Sequence, residues 1–214
     1  MGDLLDLNTD ELLSTTRAVR KRLDLERPVP MELVRECIDL AAQAPTGGNR
    51  QTWHFVVVTD EAKRAALGDI YRRAFDIYET MPGGEYDDPK RVETQERVYS
   101  SARYLADAMG RCPVHVIPCI EGKVDGLPNV LVSSLLGSII PAAWSFCLAA
   151  RARGLGTSWT TLHIMFEEEA ANLLGIPFEK VSQVALIPVA YTKGTDFKPA
   201  PRVPLDSIVH VDSW

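Results

Sequence analysis

The stretch APTGGNRQTWHFVVV, Ala44 to Val58, sets a rigid turn, two glycines and three hydrogen-bonding side chains directly before an apolar strand. Pro45 fixes one backbone angle, and Gly47 and Gly48 admit conformations barred to other residues. Such a loop can bring backbone N–H groups against a flat ligand. An ordinary helix-to-strand connection explains the proline and the glycines. It explains less well why Asn49, Gln51 and Trp53 alternate at the strand start, with Thr46 ahead of them.

Upstream, RAVRKR crowds Arg17, Arg20, Lys21 and Arg22 into one short run of an otherwise acidic chain. Guanidinium forks match phosphate oxygens, and the bonds are charge-assisted. Arg17 and Arg20, three apart, share a face if the preceding helix continues through them. The plain alternative is favourable basic charge at a helix C-terminus. The downstream loop tips the balance toward a bound anion.

Further along, the elements follow from periodicity and caps. Asn8 or Thr9 caps a first helix through Leu12 and Leu13 that ends near the arginines. Pro30 opens a second, with Leu33, Val34, Cys37, Ile38 and Ala41 on one apolar face. Trp53 to Val58 reads as a strand, and Thr59 or Asp60 caps a third helix through Leu67, Ile70, Tyr71, Ala74 and Tyr78. MPGGEYDDPK, Met81 to Lys90, is an exposed loop, followed by a helix over about Arg91 to Met109. Val114 to Ile120 is the second strand. Glu167-Glu168-Glu169 start a late helix closed by Gly175, and Val181 to Tyr191 is the third strand, apolar enough to be covered on both faces. The tail KPAPRVPLDSIVHVDSW runs extended. The whole is one α+β domain over residues 1–214, a sheet wrapped by helices.

Composition bounds the function. The 214 residues, 46% hydrophobic and 24% charged, suffice for a sizeable core. A net charge of −6 argues against nucleic acid or an anionic membrane as partner. Four scattered cysteines (Cys37, Cys112, Cys119, Cys147) without a CxxC pair read as reduced thiols in a cytoplasmic protein. VLVSSLLGSIIPAAWSFCLAA, Val130 to Ala150, has no charge and the length to span a bilayer. Its serines and Pro141 favour instead a buried central helix, apolar all round because it is packed on every side. Cys112, His115 and Cys119 have a superficial metal spacing, but on a strand Cys112 faces away from the other two, and two ligands make no zinc site. Gly154-Leu155-Gly156 follows a helix, so it is a C-cap rather than a dinucleotide fingerprint.

Taken in order, RAVR, APTGGNRQTW, the apolar helix ending in GLGTSW, VALIPVAY and KPAPRVPLD resemble the FMN-dependent nitroreductase family over about Arg17 to Val209. Thr157, Thr160, Thr161 and PRVPLD are similar to its flavin reductive dehalogenase branch. The resemblance implies a nitroreductase-like fold, with a central, mostly antiparallel sheet wrapped by helices. It implies a homodimer with two FMN sites at the interface and NADH or NADPH as electron donor. Arg17 would hold the FMN phosphate, with Arg202 and Lys198 completing that site, and Arg20 would approach the pyrimidine edge of the flavin. Pro45, Thr46, Gly47 and Asn49 would come from the partner subunit. The segment Thr157, Trp159, Thr160 and Thr161 would hydrogen-bond around the flavin ring. Ala18 and Thr46 stand where the family commonly has Ser, so Ala18 offers only backbone. Arg22 replaces a usual aromatic or apolar residue.

The function so implied is hydride transfer from NAD(P)H through FMN to a nitroaromatic, quinone or related planar small-molecule acceptor by a ping-pong mechanism, with no dedicated protein acid or base. The alternatives are a specialised flavin reaction such as reductive dehalogenation, with Glu85, Tyr86 and Lys90 on a substrate lid, and a non-catalytic flavin-binding protein.

Overall fold

The computed structural model describes residues 4–84 and 88–214. A first helix, α1 (Thr9–Thr15), is capped by Asn8 in a reciprocal capping box with Glu11. It stops before the arginines. Thr15 and Thr16 donate their hydroxyls back to the Glu11 and Leu12 carbonyls at 2.7 and 2.6 Å, and Thr16 is already extended. Residues 17–20 therefore run outside any helix, with Ala18 in a β-bridge and the Leu23 amide closing a turn onto the Arg20 carbonyl, and the expected shared helical face of Arg17 and Arg20 does not exist.

Then come α2 (Met31–Ala41), β1 (Trp53–Val58), α3 (Glu61–Tyr78), α4 (Pro89–Ala108), β2 (Val114–Glu121), α5 (Asn129–Ala152), β3 (Leu155–Thr157), α6 (Glu167–Leu174), β4 (Val181–Gln183) and β5 (Ile187–Tyr191). Asp60 caps α3 through the Lys63 amide, and Asp88 caps α4 through that of Lys90. Gly175 closes α6 at φ 72°, a left-handed position that favours glycine.

The sheet is antiparallel throughout, in the order β1-β2-β5-β3, with β4 also on β2. The single long strand expected over Val181 to Tyr191 is broken. Cys119 faces Gln183 while Val116 faces Ile187, so three steps along β2 are matched by four on its neighbour. The extra residue is a bulge beside Pro118, which has no N–H to give and only accepts from the Val184 amide at 2.9 Å.

Alternation along β2 divides the core. Ile117 and Cys119 pack with Leu67, Phe75, Leu105 and Met109 of the α3–α4–α6 side. Val114 and Val116 pack with Val34, Cys37, Phe146 and Cys147 of the α2–α5 side. All four cysteines are buried and free. Cys112 precedes β2 rather than lying on it, closing the turn after α4 with its amide on the Met109 carbonyl. Among the described residues no cluster of three metal-binding side chains exists.

One expectation about α5 fails. By length and apolarity it is a helix that could cross a membrane. Its inner face (Ile139, Ala142, Ala143, Phe146) is buried, but it is not packed on every side. Val130, Ile140 and Trp144 are 73%, 40% and 39% exposed, and with Ser133 and Gly137 they form one stripe at helical spacing.

Candidate functional site

The basic segment is stitched to the start of the GLGTSW run. Ala18 bridges Thr157 in parallel, the Val19 amide donates to the Thr157 carbonyl at 2.8 Å, and Leu23 bridges Thr192. Gly156 permits this approach: a Cβ there would meet Thr192 at 2.7 Å and Val19 and Leu23 at 3.0 Å. Glycine is needed at that point for space, not for its backbone angle.

A shallow cavity of about 270 Å³ opens along this segment, lined by residues 17–22, Ser101 and Phe197. Arg17 Nη1 donates to the Lys198 carbonyl at 2.8 Å, which brings the two expected phosphate ligands together. Arg20 Nη1 donates to Ser101 Oγ at 3.0 Å, and Lys21 Nζ to Ser100 Oγ at 3.0 Å. Ser101 in turn donates to the Val98 carbonyl at 2.8 Å, so its hydroxyl oxygen is an acceptor toward Arg20. Burial draws the Arg20 guanidinium below its ordinary value, while the nearby Tyr71 phenol acts the other way. Tyr71 is pushed up to about 12, chiefly by its own burial, and stays neutral.

Charge here is one-sided. Arg22 pairs with Asp196 at 2.6 Å, but the described ion pairs give Arg17, Arg20 and Lys21 no carboxylate. Arg151, only 4% exposed, bonds Thr15 Oγ1 and the Thr195 carbonyl, and its Nε and Nη1 find no hydrogen-bond partner among the described residues. Burial first, and Arg22 second, lower its pKa. A group of cations short of anions, from exposed Arg17 and Lys21 to half-buried Arg20 and buried Arg151, suits a phosphate monoester.

Other predicted residues lie elsewhere. The Pro45–Gln51 loop docks on α5, with the Gly47 amide on Ser138 Oγ at 3.0 Å. Its backbone is strained: Gly48, Asn49 and Gln51 have φ of 61°, 51° and 53°, two of them non-glycine. Gln51 Nε2 donates to Asn49 Oδ1 at 2.9 Å and the Gln51 amide to Thr46 Oγ1 at 3.3 Å, while Pro45, Gly47 and Asn49 remain exposed. None of its described hydrogen bonds reaches the basic segment of its own chain. In the threonine segment, Thr160 Oγ1 donates to the Leu186 carbonyl at 2.5 Å and Thr157 is buried. Trp159 packs into the core, so Thr161 and the backbone are what this segment can offer a ligand. Arg202 is exposed and bonds only the Pro201 carbonyl among its described contacts. Glu85 and Tyr86 lie outside the described residues, and Lys90 sits in the first turn of α4.

Ser101, Tyr71, Phe197 and Arg151 escaped the reading of the sequence. Ser101 meets Arg20 across 81 positions, and no local pattern marks it. Phe197, an aromatic directly before Lys198 in the basic tail, carried a usable signal. A hollow of about 850 Å³ between α3 and the turn after α4 contains none of the predicted residues.

The Nitroreductase family model matches residues 13–191. The chain belongs to the nitroreductase family. Among its relatives, the 4-nitrobenzoate reductase of Nocardioides sp. is 30% identical over 187 residues, covering 78% of this chain and 74% of that protein. The FMN-dependent nitroreductase NfnB of Mycobacterium smegmatis, solved in complex with NADPH, superposes with a TM-score of 0.69 at 20% identity, covering 95% of this chain and 97% of that one. An oxidized iodotyrosine deiodinase bound to FMN and 3-iodo-L-tyrosine gives 0.70 at 23% identity, covering 94% and 98%. These two solved structures establish the nitroreductase fold, and that fold carries both reductase and deiodinase chemistry.

Proposed function

We propose that this chain is a single-domain, FMN-dependent oxidoreductase. It would pass reducing equivalents from NADH or NADPH to nitroaromatic, quinone or related planar acceptors in two alternating half-reactions. The observation that carries the reading is the seam between Ala18–Val19 and Thr157, which sets a group of cations short of carboxylates against the GLGTSW segment. When bound, FMN supplies the redox chemistry, taking hydride from the nicotinamide and giving electrons to the acceptor. Arg17, with Lys198 and Arg202, holds the phosphate. Arg20, steadied by Ser101, presents positive charge to the ring edge that becomes electron-rich on reduction. Thr161 and the backbone of its segment orient the ring. In this reading the flavin carries the chemistry and no dedicated protein acid or base is needed.

The working unit is a homodimer, in which Pro45, Thr46, Gly47 and Asn49 of a second copy close each site. Two features support this. The α5 stripe is too apolar to face water, and the tail leaves Leu205, Ile208, Val211 and Trp214 exposed. The buried free thiols support a cytoplasmic setting.

The test is the spectrum of the purified protein with identification of the released flavin, followed by steady-state turnover with NAD(P)H and a quinone. Bound FMN and parallel double-reciprocal lines are expected. A flavin-free protein, or intersecting lines, would overturn the cofactor or the mechanism respectively. Reductive dehalogenation is the second reading, favoured by the likeness to the deiodinase. Turnover of aryl halides but not of quinones or nitroaromatics would select it.

A further inference from the structure

Two guanidinium groups lie over the ring of Phe197, Arg22 at 4.3 Å and Arg151 at 4.9 Å from its centroid. Both arginines also hold the backbone just before it. Arg22 Nε donates to the Lys193 carbonyl at 2.9 Å, the Lys193 amide returns to the Arg22 carbonyl at 2.8 Å, and Arg22 Nη2 reaches Asp196 at 2.6 Å. Arg151 Nη2 takes the Thr195 carbonyl at 3.0 Å. Gly194, at φ 78°, lets the turn close so tightly that a Cβ there would lie 2.6 Å from Arg22 Nη2. Directly beyond the clamped ring, the Lys198 carbonyl accepts from Arg17.

The ring face attracts both cations. The two cations repel each other, and Asp196, far out in solvent, offsets them weakly. The clamp also forms a wall of the cavity along residues 17–22. It thus joins two parts of the chain about as far apart as the sequence allows, and it fixes where Arg17 and Lys198 stand relative to each other.

We propose that Phe197, gripped by Arg22 and Arg151, is the positioning residue of the phosphate end of the cofactor site. This inference rests on the FMN reading above. In it, the clamp sets the Arg17–Lys198 spacing for a phosphate monoester and makes no contact with the ring system of the flavin. Its effect is therefore confined to ligands that carry the phosphate.

Flavin-free protein is titrated with FMN and with riboflavin, following flavin fluorescence, for the wild type and for Phe197→Leu, Arg22→Met and Phe197→Tyr. Phe197→Leu and Arg22→Met should each raise the Kd for FMN about tenfold, a change of about 1.4 kcal/mol, and move that for riboflavin by less than about twofold. Phe197→Tyr, which keeps the ring face, should restore FMN binding. Equal losses for both ligands would reduce the clamp to a fold-stabilising contact and overturn the proposal, as would no loss for either. Should Phe197→Leu fail to fold, Arg22→Met, which spares the core, decides alone. A wild type that binds riboflavin as tightly as FMN would instead sink the phosphate-site reading before any variant is measured.

Discussion

Arg20 is held half-buried by a serine hydroxyl, with a neutral phenol beside it and no carboxylate among its described partners. A cation in that setting keeps most of its field, because neither water nor a counter-charge screens it fully. Arg20→Ala should therefore slow reduction of the flavin by a factor of order 10², the usual cost of losing one charge-stabilising group, while FMN binding falls less. Stopped-flow reduction set against a binding titration checks this; equal losses in both would make Arg20 an anchor rather than a stabiliser. Gly156 is the second decisive residue. Gly156→Ala drives a methyl into Thr192, Val19 and Leu23, at a cost of about 1–3 kcal/mol. Since Val19 and Leu23 flank Arg20, FMN affinity should drop along with the denaturation midpoint. A variant with unchanged affinity would show that the seam tolerates displacement.

Elements differ in how far the sequence announces them. The caps at Asn8, Asp60 and Gly175, the apolar face of α2 and the two long strands were readable because each depends on neighbours within a few residues. The bridged run at residues 17–20 was not, since its partner, Thr157, lies far along the chain. The bulge at residues 184–186 was hidden too, because Pro118 on another strand causes it. The arginine cluster and the PTGGN loop were legible as candidates; Ser101 and Phe197, which lie beside the arginines, were not, as they act through contacts across the fold. The exposed stripe on α5 carries the element-scale prediction. Ile140→Asp places a charge on that stripe and should shift a dimer to monomers at micromolar concentration, with loss of bound flavin, read by light scattering and absorbance. A dimer that survives the substitution with its flavin would remove α5 from the interface.

At the scale of the whole molecule, two buried histidines link stability to pH. His115 Nε2–H donates to the Met109 carbonyl at 2.8 Å, and both ring nitrogens of His163 are buried without partners among the described groups. Burial lowers both, His115 to about 4 and His163, with His115 close by, to about 3. The unfolded chain takes up protons on these histidines from about pH 6.5 downward while the folded protein refuses them, so stability is lost as pH falls. The slope approaches about 1.4 kcal/mol per pH unit for each histidine below that point. Urea midpoints should drop between about pH 7 and about pH 5, and His163→Phe should flatten the drop; an unchanged slope would assign it to other groups. Such a molecule, two core layers about one sheet, serves to hold the Ala18–Thr157 seam rigid beneath its cations. The claim that this seam builds a working FMN site is tested most directly by anaerobic stopped-flow mixing of the FMN-loaded protein with NADH and with NADPH, then with a quinone or nitroaromatic. Bleaching of the bound flavin by at least one nicotinamide, and its full recovery by the acceptor after the oxidised nicotinamide has left, is the predicted result. Flavin that neither nicotinamide bleaches above background would contradict the account.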